Sequence, residues 1–245
     1  MYKNYLFDLY GTLIDINTNE NKRYLWEKIA EIYNFNNAPY SPQELKKEYH
    51  RLVKNEKISV KNAHPNFTNI DVKIDNVFKN LYLNKGVDAT ETTIQMTAQF
   101  FRAISTKYIK LYDGAIDLLD SLRASGKNVY LLTNAQRCFT VPELTLLNIT
   151  DKFDEIIISS DELTCKPDTA FYNVILNKYN LNKKETIMIG NDCTTDILGS
   201  FNAGLDSLYI HTNLSPEITG ELKAKFSVMD GDVRKVKDLI LKWYF

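Results

Sequence analysis

Five short apolar runs constrain this chain more than anything else in it. They are Tyr5–Phe7, Val129–Leu132, Ile156–Ile158, Ile187–Ile189 and Leu208–Ile210. Each passes directly into polar or small residues: Asp8, Thr133-Asn134, Ser159-Ser160, Gly190-Asn191-Asp192 and His211. Continuous rather than alternating apolarity suits strands buried on both faces, so the runs predict a parallel sheet between two layers of helix. The intervals carry helical patterns. From Gly114 to Ser125, Ala115, Leu118, Leu119 and Leu122 form one stripe, and Gly126 follows as a helix-stopping glycine. Strand–helix alternation from about residue 112 onward fixes the expected class as α/β, with an open parallel Rossmann-like sheet.

Between residues 16 and 108 the texture changes, and amphipathic helices replace strand-like runs. Leu25, Ile29, Ile32 and Tyr33 follow helical spacing, while Ser41-Pro42-Gln43-Glu44 reads as an N-cap, a first-position proline and a first-turn acid. Two more helices are expected over 70–82 and 90–107, parted by Asn84-Lys85-Gly86. The expected organisation is therefore an α/β core of residues 1–15 and 109–245 with a helical cap domain inserted at 16–108. A module leaving the first strand at its C-terminal end sits where open α/β sheets bind ligands. The length of 245 residues suits one core with such an insertion, and 44% apolar with 25% charged residues excludes disordered, collagen-like and coiled-coil chains.

Charge narrows the partners. Thirty Lys and Arg against 31 Asp and Glu leave a formal charge of -1, so no global field draws the chain to nucleic acid or to a membrane. A charged ligand must be held locally. Cys138, Cys165 and Cys193 form no Cys-x-x-Cys pair and are odd in number, which points to a reducing compartment. The N-terminus reaches Asp8 before a signal core develops, and no apolar run approaches the ~18 residues of a membrane span. The expectation is a cytoplasmic monomer or homodimer. His50, His64 and His211 lack ligand spacing, and Cys193, which opens a helical pattern, is expected to face the core.

The strand ends bring Asp8, Thr12, Thr133, Asn134, Lys166, Asp192 and Asp196 to one edge of the sheet. Carboxylates, hydroxyl and amide donors and one lysine make a phosphate and metal site. Asp192 and Asp196 are four apart and share a face if a helix begins there. Such hard oxygen donors suit Mg²⁺, which takes few carboxylates together with waters and a phosphate oxygen. Taken singly, Asp8 reads as a turn residue and Asp192 and Asp196 as helix-capping acids.

In order and spacing these residues resemble the haloacid dehalogenase (HAD) superfamily over nearly the whole chain. Asp8-Leu9-Tyr10-Gly11-Thr12-Leu13 is similar to its nucleophile loop, Thr133-Asn134 to its second motif, Lys166-Pro167-Asp168 to its third, and Gly190-Asn191-Asp192 with Asp196 to its fourth. The helical insertion resembles its type 1 cap. The resemblance implies that Asp8 forms a covalent aspartyl intermediate. It further implies that Asp8, the Tyr10 carbonyl and Asp192 hold Mg²⁺, with Asp196 behind them. Thr133 and Asn134 then grip phosphoryl oxygens through hydroxyl and backbone donors, and Lys166 neutralises charge.

One position departs from the phosphatase pattern: Tyr10 stands where most of these phosphatases carry a second, acid/base aspartate. With a reference pKa of ~10, tyrosine is a poor base near neutrality. An Asp-x-Tyr-Gly-Thr loop is similar to the metal-independent L-2-haloacid dehalogenase branch, which needs a cap arginine such as Arg51 or Arg102. A phosphonoacetaldehyde hydrolase-like enzyme, with a Schiff-base lysine among Lys46, Lys47, Lys54, Lys57 and Lys61, is a further alternative, as is a non-catalytic binding protein of the same fold. Charge favours the phosphatase. Asp8, Asp192 and Asp196 with one lysine sum to -2, which a divalent cation cancels, whereas an anionic haloacid meets repulsion of ~4 kcal/mol per pair at 4 Å and an effective dielectric of 20. The expected function is Mg²⁺-dependent hydrolysis of a small phosphorylated metabolite.

Overall fold

A computed structural model describes residues 2–241. Met1 and the last four residues of the expected core lie outside that range. In chain order the core elements are β1 (Asn4–Phe7), β2 (Ile14–Thr18), then after the insertion β3 (Thr106–Leu111), α5 (Ala115–Ala124), β4 (Asn128–Thr133), α6 (Arg137–Leu146), β5 (Glu155–Ile158), α7 (Ser159–Glu162), α8 (Thr169–Lys178), β6 (Thr186–Gly190), α9 (Gly199–Asn202), β7 (Asp206–Ile210), β8 (Phe226–Val228) and α10 (Val233–Leu241). The insertion supplies α1 (Arg23–Phe35), α2 (Pro42–Ala63), α3 (Ile74–Leu83) and α4 (Glu91–Ser105).

The main sheet runs β5-β4-β1-β6-β7-β8 and every neighbouring pair in it is parallel. Strand order reverses around β1, where the chain crosses from one half of the sheet to the other. That is the switch point at which such sheets bind ligands. Alternate residues of each strand feed opposite layers. Tyr5, Phe7, Leu131 and Ile189 pack with Leu118, Leu119 and Val236 of α5 and α10. On the other face Leu6, Leu132 and Met188 meet Phe171, Tyr172 and Ile175 of α8. Burial of each such side chain contributes about 1.5–3 kcal/mol, and together they hold the strand ends at fixed spacing.

The five apolar runs are all strands, and a sixth, β8, follows them at the sheet edge. The insertion begins and ends in a feature the sequence pattern missed. β2 and β3 pair antiparallel, Ile14 opposite Leu111 and Asn17 opposite Tyr108, as a ribbon running across both expected boundaries. The helices of the insertion share one apolar cluster built from Trp26, Tyr33, Tyr49, Phe78 and Phe101, which also takes in Phe139 of α6. Ser41 caps α2 by accepting the Glu44 amide at 3.3 Å, and Thr90 caps α4 by accepting that of Thr93 at 3.2 Å. Helix α3 starts at Ile74 rather than residue 70, because Ile70 pairs with Thr164 of the core as an antiparallel bridge.

Candidate active site

Strands β1 and β6 lie side by side, with Phe7 opposite Ile189, and the Asp8 amide continues the pairing into the Ile189 carbonyl at 2.9 Å. The first loop and the Gly190-Asn191-Asp192 run are therefore adjacent by construction. After Asp8 the chain folds over the Leu9 carbonyl, which accepts from the amides of Thr12, Leu13 and Ile14. Gly11 makes that turn with φ +88°, and a Cβ there would lie 2.3 Å from the Asn191 side chain. Only glycine satisfies both conditions. The Thr12 hydroxyl lies 3.2 Å from Asp8 Oδ2 and 3.2 Å from Asn191 Oδ1. The Tyr10 carbonyl takes no part in these turn bonds.

Lys166 is the electrostatic centre. Its Nζ, 2% exposed as a residue, donates to Asp8 Oδ1 at 2.7 Å and to Asp196 Oδ1 at 2.7 Å. Burial alone lowers a lysine pKa, but the Asp196 and Asp8 carboxylates outweigh it and the ammonium is stabilised. For Asp196 burial is the larger influence and pushes its carboxyl up, while Lys166 pulls the other way. Asn134 places the lysine. Its Oδ1 accepts the Lys166 amide at 2.8 Å and its Nδ2 donates to the Lys166 carbonyl at 2.9 Å. The peptide bond into Pro167 is cis.

The acidic pair divides its work. Asp196 Oδ2 accepts the Asp192 amide at 3.0 Å, and Gly190 leaves room for that carboxylate, which a Cβ would meet at 2.3 Å. Asp192 Oδ1 accepts the amides of Thr194 at 2.7 Å and Thr195 at 2.9 Å, capping a turn wound as a π-helix over Cys193–Leu198. Its other oxygen takes no hydrogen bond among the described residues. The Thr133 hydroxyl, at the end of β4, is buried without a partner among the described residues. Most such groups are satisfied, so this one invites a ligand.

Tyr10 turns toward α6. Its hydroxyl donates to Glu143 and lies 3.1 Å from Thr140 Oγ1. Arg102 of α4 donates from Nε to Glu143 Oε1 at 2.6 Å and stacks its guanidinium 5.6 Å from the Tyr10 ring. Burial, then the charge of Glu143, drives the Tyr10 hydroxyl pKa far above its ordinary value.

The structure thus joins Asp8, Thr12, Lys166, Asp192, Asp196 and Asn134 in one bonded chain, with Thr133 at the end of the neighbouring strand. One sequence expectation changes. Cys193 is half-buried at the surface, its Sγ 3.7 Å from the Glu217 carbonyl, because the wide turn rotates it away from the core. The three acids cluster around Lys166, which bridges Asp8 and Asp196 at 2.7 Å each, and Asp196, 1% exposed, is the most enclosed of them, leaving Asp8 and Asp192 as the more accessible acids for an ion. Consistently, no group of three or more His, Cys, Asp or Glu side chains is arranged to hold a metal among the described residues. Asn191 was legible inside its motif. Glu143 carried no signal, since an acid inside a helix is ordinarily solvated.

Comparison with known proteins decides the family. The haloacid dehalogenase-like hydrolase profile matches residues 2–204. The chain belongs to this family of hydrolases. Pyrimidine 5'-nucleotidase PynA of Streptococcus pneumoniae is 28% identical over 220 residues, which covers 85% of this chain and 83% of that protein. A phosphoglycolate phosphatase of Yersinia pestis is 31% identical over 121 residues, 46% of this chain and 52% of its own. Among solved folds, 2-haloacid dehalogenase from Pseudomonas syringae superposes with TM-score 0.67 at 16% identity, covering 99% of this chain and 100% of that one. The magnesium-bound HAD-hydrolase YfnB of Bacillus subtilis superposes with TM-score 0.57 at 20% identity, covering 98% and 99%. The two solved structures share the fold across both the sheet and the helical insertion.

Proposed function

We propose that this hydrolase is a phosphatase that transfers a phosphoryl group from a small phosphorylated metabolite to Asp8 and then to water. The carrying observation is the placement of the Asp8 carboxylate. Lys166 holds Oδ1 at 2.7 Å, while Oδ2 receives only the Thr12 hydroxyl at 3.2 Å. One oxygen is anchored and the other is left to attack phosphorus. As the Asp8–phosphorus bond forms, the bond to the leaving oxygen breaks, and that oxygen takes its proton from water or a cap group. Water then attacks phosphorus as the Asp8–phosphorus bond breaks, which restores the carboxylate, and the proton lost by that water leaves on the phosphate or to solvent. The unpartnered Thr133 hydroxyl and the Asn134 backbone amide would hold phosphoryl oxygens, the Asn134 side chain being occupied by Lys166. Lys166 offsets the charge on both Asp8 and the phosphoryl group.

The donor set fits Mg²⁺. Asp8, Asp192 and the Tyr10 carbonyl would hold the ion, with Asp196 fixing the Asp192 backbone. Two carboxylates and a carbonyl leave positions for water and phosphate oxygen, as this cation prefers. When bound, Mg²⁺ would neutralise developing negative charge on the phosphoryl oxygens. In this reading residues 16–108 form a cap over the site, and the enzyme works in the cytoplasm as a monomer or homodimer. PynA and the phosphoglycolate phosphatase support the phosphate-ester class.

Tyr10 favours a second reading, haloacid dehalogenation, because a departing halide needs no proton. Both cap arginines considered for a substrate carboxylate are otherwise engaged: Arg51 with Glu48 at 2.8 Å and Arg102 with Glu143 at 2.6 Å. Lys47, Lys54, Lys57 and Lys61 are exposed, whereas a Schiff-base amine is usually activated by desolvation. Phosphate release from 4-nitrophenyl phosphate and a panel of phosphorylated metabolites tests the proposal. Release should require Mg²⁺ and vanish in Asp8→Asn. Halide release from 2-chloropropionate without added metal would replace it by the dehalogenase, and failure of BeF₃⁻ to trap on Asp8 by the binding-protein reading.

A further inference from the structure

Tyr10 is held at both ends. Its backbone lies in the turn after Asp8, where the Gly11 amide donates to the Ile14 carbonyl at 2.8 Å and the Ile14 amide donates to the Leu9 carbonyl at 2.9 Å. The Tyr10 carbonyl and the Gly11 amide belong to one planar trans peptide, whose C=O and N–H point in opposite directions. The bond from Gly11 to Ile14 therefore turns the Tyr10 carbonyl outward from the turn. At the far end of the side chain the hydroxyl donates to Glu143 and lies 3.1 Å from Thr140 Oγ1. Thr140 and Glu143 are buried, and as neighbours at i and i+3 on α6 they share a face.

The acceptor is itself fixed. Glu143 Oε2 takes the Tyr10 hydroxyl while Oε1 takes Arg102 Nε at 2.6 Å. The Arg102 guanidinium lies 5.6 Å from the centre of the Tyr10 ring and 5.3 Å from that of Phe139, both within reach of cation–π attraction. An ion pair so largely withdrawn from water adds little net stability, because desolvation offsets its Coulombic gain, and two apolar side chains of similar size commonly do as well. Its presence beside the loop after Asp8 therefore calls for a role other than joining α4 to α6. A carboxylate locked by an arginine is a rigid anchor for one hydroxyl. Resting on the phosphatase reading, in which Asp8, Asp192 and the Tyr10 carbonyl hold Mg²⁺, we propose that Glu143 and Arg102 are positioning residues for that ion. They act through the Tyr10 hydroxyl. With the ring tethered at one end and the Gly11 amide bonded at the other, the Tyr10 carbonyl and the Asp8 carboxylate, two residues apart, are kept facing the same point.

Two double variants of the full-length chain separate this role from a merely structural one. Arg102→Met/Glu143→Leu replaces the pair by apolar groups and takes the acceptor away from Tyr10. Arg102→Met/Glu143→Gln removes both charges as well but keeps an acceptor oxygen in place. Hydrogen–deuterium exchange without metal or substrate, followed residue by residue by NMR, reads the loop, and titration calorimetry with MgCl₂ reads the site. In the first variant the Gly11 and Ile14 amides should exchange about tenfold faster than in wild type or more, with those of Leu131 and Leu132 in β4 unchanged, and Kd for Mg²⁺ should rise by about tenfold or more, as loss of one hydrogen bond from a preorganised site requires. The second variant should stay within about threefold of wild type in both measurements. Tyr10→Phe removes the same bond while keeping both charges, so it should match the first variant and replaces it if that variant does not fold. Unchanged loop exchange after loss of the acceptor, an unchanged Kd, or an equal loss in the second variant overturns the proposal. A wild type that binds no Mg²⁺ refutes the metal assignment of the phosphatase reading instead, and loop exchange then decides the tether alone.

Discussion

A buried hydroxyl without a partner costs roughly 1–3 kcal/mol, so its retention in a strand calls for a reason. Thr133 and Ser207 both carry such oxygens, but only Thr133 ends a strand beside Asp8 and Lys166. Thr133→Val should raise stability by about 1 kcal/mol in urea unfolding, while KM for a phosphorylated substrate rises at least tenfold. Ser207→Ala should also stabilise, yet leave KM unchanged. A destabilised Thr133→Val would mean that the hydroxyl already has a partner. The cysteines make a second test at this scale. Burial, then the charges of Asp71 and Asp168, pushes the Cys165 thiol up to about 11, and burial raises Cys138 further. At pH 8 only about one Cys165 in a thousand is thiolate. Peptide mapping should find both cysteines alkylated far more slowly in the native protein than in urea at that pH, and the rate at Cys165 should climb tenfold per pH unit.

Strands were legible in proportion to how completely they are buried. Strands β1, β4, β6 and β7, buried almost throughout, announced themselves as apolar runs, whereas β8 has three residues and an exposed Ser227. The β2–β3 ribbon was missed because β3, Thr-Lys-Tyr-Ile-Lys-Leu, alternates imperfectly and follows α4 without a break, so its first residues read as more helix. The start of α3 was lost to a tertiary bridge that no local pattern encodes. Between elements, the Arg102–Glu143 pair ties α4 to α6 with both side chains largely buried. Arg102→Met alone should cost about 3–5 kcal/mol by leaving Glu143 uncompensated, and adding Glu143→Gln should recover most of it in a double-mutant cycle. Asp168 caps α8 through the Ala170 amide. Burial raises its pKa, but that bond and those from the Thr68 and Asn69 amides prevail and lower it below the ordinary 3.8. A depressed carboxylate pKa stabilises the fold above its unfolded value, and that contribution disappears as pH falls through the folded one. The stability deficit of Asp168→Asn should be constant above pH about 5 and shrink below about 4.

At the scale of the whole molecule, the candidate site was legible because each contributor follows a strand, and a parallel sheet sends every strand end to one edge. How charge is shared there was not. The sequence places three acids and a lysine together but leaves open that Lys166 would take Asp196 with it, or that the Asn134 side chain would be consumed in holding the lysine. This partition sharpens the expectation for the metal. With Asp196 enclosed behind Lys166, the negative charge that draws Mg²⁺ should come chiefly from Asp8 and Asp192. Asp192→Asn isolates that dependence, since asparagine caps a helix as well as aspartate does, keeping the Thr194 and Thr195 bonds while removing the charge. Ligand binding at a hundred times Kd stabilises the native state by about 2.7 kcal/mol, which for a chain of this size raises Tm by roughly 5–10 °C. Wild type should show that rise with saturating Mg²⁺ in a calorimetric scan, and Asp192→Asn should show little of it at the same concentration. A full rise in Asp192→Asn would place the ion elsewhere and remove the ground for assigning Asp192 to the metal, because the only property lost in that variant is the negative charge beside Asp8.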